Sequence, residues 1–157
     1  MRAAIIGRPG SITVGERPDP VPGSQEAVIR VGACGICGTD LHIADGEFPP
    51  SPYPLAPGNE FAGEVVAVGD GAPGGLRVGD RVAVDPSLFC GYCTFCRSGR
   101  GNLCAKWSAT GDTVDGAFAA RRRCAPRYPS WRSSATRRFV HHGSSQATLP
   151  SRPARRR

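Results

Sequence analysis

No acidic residue lies beyond Asp115 in this 157-residue chain. No apolar run approaches the ~18 residues that a membrane-spanning helix needs, which excludes a helical span. The missing acids make the formal net charge of +7 misleading. Up to Ala120 the chain carries nine basic residues against 13 acids, a balance of −4, whereas the remaining 37 residues carry 11 arginines and no acid. The body therefore offers no electrostatic footprint for nucleic acid; only the tail does. The opening residues, Met1 to Gly7, hold too short an apolar stretch for a signal peptide and read as a strand. A soluble cytoplasmic protein is the expectation. Apolar residues are scarce at 39%, while Gly (21) and Pro (15) are plentiful. That balance favours short strands and turns over long helices, in a length that suits one domain.

The pattern along the chain agrees. Residues Arg2 to Gly7 and Ser11 to Arg17 read as strands around a Pro-Gly turn. Glu26 to Cys34, Phe61 to Val68 and Arg81 to Asp85 read as three more, and Gly116 to Ala119 as a last one. Thr39 is the expected N-cap of a short helix from Asp40 to Ala44. Phe48 to Gly58, with five prolines, reads as an irregular loop. Short strands at this spacing suggest a barrel-like β domain.

Seven cysteines could mean disulfides, but no export signal accompanies them, and the spacing suits a metal better. Cys90, Cys93, Cys96 and Cys104 form C-x2-C-x2-C-x7-C. Two-residue spacers let tight turns aim neighbouring sulfurs at one point. Four thiolates suit tetrahedral zinc, and a closed four-thiolate site has no open position, so it is structural. In a small lobe without its own core, the metal supplies folding energy.

Cys34 and Cys37 form another C-x2-C, open to a metal or redox reading. Cys34 ends an apolar strand and reads as a small buried hydrophobe. Cys37 sits in a turn entering a helix, where a thiolate is favoured and can bind a metal. Thr39 and His42 lie three apart, on one helical face, where a hydroxyl and an imidazole can pass a proton in steps. Taken alone, His42 reads first as an ordinary helix residue and only second as a proton carrier.

Four segments in order carry a resemblance. Gly35 to His42, Pro57 to Val65, Val78 to Val82 and the four cysteines resemble the zinc-dependent medium-chain alcohol dehydrogenases, over roughly residues 1–120. The resemblance implies a mainly β, GroES-like partly open barrel with a zinc-binding lobe at 86–106. It implies that Cys37 is a catalytic zinc ligand, with Glu60 an acid beside that metal that coordinates it in some members. Asp40 becomes a carboxylate behind the ligands, Thr39 and His42 a proton relay, and the four lobe cysteines a structural zinc site. The implied chemistry is NAD- or NADP-dependent oxidation of a small alcohol or polyol, or reduction of the carbonyl, with zinc as Lewis acid.

Two departures qualify this. The family usually has Gly-His-Glu where this chain has Gly58-Asn59-Glu60. An amide is a poorer zinc donor than imidazole, and Asp40 is left without the His it is expected to orient. No strand–G-x-G-x-x-G–helix unit for a dinucleotide is found, so a Rossmann domain is expected to be absent. A further zinc ligand past the lobe is also missing, and His141 and His142 are read as incidental. Residues 121–157 show no regular period. They read either as a basic arm for nucleic acid or membrane, or as a disordered segment never selected to fold, as when a reading frame slips; the abrupt change favours the second. The expectation is a truncated dehydrogenase domain, inactive alone. A non-catalytic structural zinc module, a subunit borrowing its cofactor domain from another chain, and nucleic-acid binding through the tail are the alternatives. Substrate and oligomeric state stay open.

Overall fold

The computed structural model describes residues 1–72 and 75–124, and the backbone of 138–141. Two strands, β1 (Arg2–Arg8) and β2 (Ser11–Glu16), form an antiparallel hairpin. A five-stranded sheet follows from β3 (Ala27–Gly35), β4 (Glu60–Val68), β5 (Arg81–Asp85), β8 (Arg121–Cys124) and β9 (Arg138–His141), in the order β8-β3-β4-β5-β9. Only β9, lying parallel to β5, breaks its antiparallel pattern. Two small strands, β6 (Ser87–Leu88) and β7 (Ser108–Ala109), frame the cysteine lobe. The fold is mainly β and the sheet does not close into a barrel.

Alternation builds the core. In β5, Val82 and Val84 are buried while their neighbours turn outward. They pack with Ala27, Ile29, Phe61, Val65 and Cys124. The β3–β4 ladder shifts register at Val28/Ile29 and between Val31 and Ala33, which bends the sheet. The bend brings backbones together at Gly63: a Cβ there would meet the Arg30 carbonyl oxygen at 2.1 Å. A second cluster, Ile6, Ile43 and Leu55, ties the hairpin to α1 (Gly38–Asp45). No helix among the described residues is long and apolar enough to cross a membrane.

Three local expectations are corrected. Helix α1 starts at Gly38 with Cys37 as N-cap, and Thr39 is already inside it. Asp40 Oδ2 accepts the Cys37 N–H at 2.9 Å, so the cap is made by the acid three residues on and not by the Thr hydroxyl. Gly116 to Ala119 is not a strand. The Ala117 and Phe118 N–H groups donate to Gly58 and Pro57, leaving one bridge, Ala3 to Ala119. The strand starts at Arg121 instead, so the sheet passes the expected boundary at 120 and ends on fully buried Cys124. Two of its three arginines find partners in the body: Arg121 pairs with Asp19 at 2.7 Å and Arg123 with Glu26 at 3.4 Å. His141 ends β9. The rest of the tail, with His142, lies outside the described residues, and so does the reading of disorder there.

Candidate functional site

The lobe hangs between β6 and β7. Cys90 follows buried Phe89. Cys93 caps α2 (Thr94–Arg97), Cys96 sits within it, and Cys104 follows a 3-10 turn at Gly101–Leu103. All four sulfurs lie within 4.8 Å of one another. Cys93 Sγ is 3.5 Å from Cys96 and 4.0 Å from Cys104, and Cys90 Sγ is 3.8 Å from Cys96. Sulfurs at about 2.3 Å from one tetrahedral zinc are about 3.8 Å apart, so the set fits that ion. Backbone N–H groups point at the sulfurs: Cys93 N–H at Cys90, Cys90 N–H at Cys104, and Lys106 N–H at Cys104, at 3.3–3.4 Å. Desolvation pushes the Cys90 thiol up, but N–H groups of Tyr92 and Cys93 outweigh it and bring it down to about 6. Cys96, desolvated and beside the Cys93 thiol, is pushed up to about 12.

The second group surrounds the start of α1. Cys37 Sγ donates to Asn59 Oδ1 at 3.5 Å. Asp40, buried, takes the Cys37 N–H on one oxygen and the Gly58 N–H on the other, at 2.9 and 3.0 Å. It has therefore not lost its partners: it fastens the head of α1 to the loop carrying Asn59 through backbone. The acid that meets Asn59 is Asp112, whose Oδ1 accepts from Asn59 Nδ2 at 2.9 Å. Burial pushes the Asp112 carboxyl up, against the pull of that bond. Asp112 belongs to no motif, and its only sequence signal is an acid after a glycine in the loop beyond the lobe. Cys34 is half-buried, and burial pushes its thiol up to about 11.

The remaining candidates stand further apart. Glu60 opens β4, is exposed, and lies over Gly35. His42 is exposed, with Nδ1 2.7 Å from Glu47 Oε2, while Thr39 is half-buried. Among the described residues, the lobe cysteines are the one set of three or more His, Cys, Asp or Glu whose ligand atoms converge within 4.8 Å. Helix α1 follows β3, but β3 pairs antiparallel with both neighbours. No parallel βαβ unit for a dinucleotide occurs among the described residues.

Residues 23–128 match the alcohol dehydrogenase GroES-like domain. The chain belongs to that family. It is 46% identical over 123 residues to an L-threonine 3-dehydrogenase of Saccharopolyspora erythraea, covering 76% of this chain and 36% of that protein. It is 40% identical over 111 residues to a sorbitol dehydrogenase of Halalkalibacterium halodurans, covering 70% and 32%. The crystal structure of a protein named a zinc-binding dehydrogenase, from Sinorhizobium meliloti 1021 and bound to NADP, superposes with a TM-score of 0.74 at 40% identity, covering 79% of this chain and 36% of that one. This GroES-like chain thus spans about a third of the length of these relatives.

Proposed function

We propose that this chain is the metal-binding catalytic domain of a zinc-dependent dehydrogenase for a small alcohol or polyol, or for the matching carbonyl compound. The carrying observation is the convergence of four sulfurs at zinc-ligand separations, in a domain 46% identical over its matched length to an L-threonine 3-dehydrogenase. Cys90, Cys93, Cys96 and Cys104 hold a structural zinc that keeps the lobe folded. A second zinc, at Cys37 with Asn59 or Glu60, would supply Lewis acidity toward an alcohol oxygen. Around it Asp40 fixes the loop bearing Asn59, and Thr39 and His42 would pass a released proton toward exposed Glu47. The hydride acceptor is NAD or NADP, held by a part that the described residues do not contain. The described residues are then not expected to turn over substrate by themselves, and a cytoplasmic setting would keep their thiols reduced. A purely structural zinc module is the second reading, favoured by Asn59, a weak donor at the position where imidazole is usual.

Metal analysis of the purified chain should find at least one tightly held zinc, and none at that strength after Cys93→Ser with Cys96→Ser. Assays with NAD+ or NADP+ and ethanol, sorbitol or L-threonine should show no turnover. Zinc-free native protein would overturn the lobe assignment, and cofactor reduction by the chain alone would overturn its dependence on a further domain.

A further inference from the structure

The contact between Asn59 and Asp112 bears on whether the Cys37 site can hold a metal at all. Both residues are nearly out of solvent, at 8% and 6% exposure. They meet because three backbones touch beneath them. A Cβ on Gly111 would lie 2.5 Å from the Gly58 carbonyl carbon, and one on Gly116 would lie 2.4 Å from its oxygen. No side chain fits there, so the Gly58-Asn59 and Gly111-Asp112 segments run against each other. Asp112 is itself held, its N–H donating to Ala109 at 3.2 Å and its carbonyl accepting the Ser51 hydroxyl at 2.6 Å.

An amide has two faces, and only its oxygen has a lone pair to offer a metal. The Asn59 NH2 donates to Asp112 Oδ1 at 2.9 Å, so it is the NH2 that faces Asp112. The carbonyl oxygen then faces the other way, 3.5 Å from Cys37 Sγ. Sulfur at about 2.3 Å and oxygen at about 2.1 Å from one tetrahedral ion are about 3.6 Å apart. We propose that Asp112 is a positioning residue that fixes the amide of Asn59 with its oxygen toward Cys37, making a sulfur–oxygen donor pair for a divalent cation at the head of α1. The inference rests on the reading of Cys37 as a metal ligand. Without Asp112 the amide is free to turn, and its NH2 face would repel the ion.

The test uses Co(II) as the probe, titrated into the full chain with zinc already in the lobe. Equilibrium dialysis gives the affinity of the added ion, and the thiolate-to-cobalt absorption band reports Cys37. The native chain should take up one further ion, which Cys37→Ser abolishes. Asp112→Asn replaces the acceptor-only partner by one that tolerates either face of Asn59, and should weaken this ion about tenfold. The exchange variant Asn59→Asp with Asp112→Asn restores a donor facing an acceptor and, with a carboxylate now as the oxygen ligand, should bind at least as tightly as native. Native affinity in Asp112→Asn would overturn the proposal, as would failure of the exchange variant to rescue binding or uptake of no second ion by the native chain. Lobe zinc, measured in every sample, separates these outcomes. If it is retained, the dehydrogenase-domain reading stands whatever happens at Cys37; if the native chain lacks it, that reading fails first.

Discussion

Cys124 shows how one buried side chain makes stability depend on pH. Its thiol is fully buried at the end of β8 and burial pushes it up to about 12, against an ordinary value of 9.0. The folded state therefore keeps the proton where the unfolded chain has lost it. The stabilisation is complete below pH 9 and is lost as pH rises from 9 toward 12. Over that window the loss approaches about 1.4 kcal/mol per pH unit. Urea midpoints at pH 8 and pH 10.5 should show a smaller drop for Cys124→Val than for the native chain; equal drops would show that the thiol is not what titrates. Asp40 teaches a related lesson. Its position in the motif marks it as important, but the motif implies a side-chain partner. The structure gives it two backbone N–H groups, because the helix start and the Gly58 turn both present orphan donors.

At the scale of elements, the β3–β4 ladder and the lobe are held by different means. The ladder depends on backbone approach at Gly63, where a Cβ would overlap the Arg30 carbonyl. Gly63→Ala should cost about 3 kcal/mol, read as a lower urea midpoint. An unchanged midpoint would mean that the strands can part there without loss. The lobe has little apolar core beyond Phe89, and its four cysteines pack around it. Their convergence was legible in sequence because the four cysteines lie within fifteen residues and short spacers dictate the geometry. Strand β8 was not legible. Arg121, Arg122 and Arg123 carry no alternation, and their place in the sheet follows from pairing with β3 and from Asp19 and Glu26, far away in sequence.

The whole molecule resembles about one third of a larger enzyme type, and its activity is best tested by supplying the rest. A chimera in which residues 1–124 replace the matching part of the Halalkalibacterium sorbitol dehydrogenase should oxidise sorbitol weakly with Asn59 and at least tenfold faster with Asn59→His, as imidazole binds zinc better than an amide. In the faster chimera, His42→Ala should lower the rate most on the acid side of the pH profile, where solvent base is scarce. An inactive, folded and zinc-loaded chimera would favour the structural-module reading.

Sequence alone determined the strand-rich fold and the cysteine lobe, because these rest on local signals: alternation, turn glycines and closely spaced cysteines; the family followed from a resemblance carried by four segments in order. Tertiary structure alone decided what surrounds Cys37. Asn59 and Asp112 are 53 positions apart, and nothing in either segment announces the other. They meet because Gly58, Gly111 and Gly116 let three backbones touch, and contact of that kind depends on the path of the whole chain.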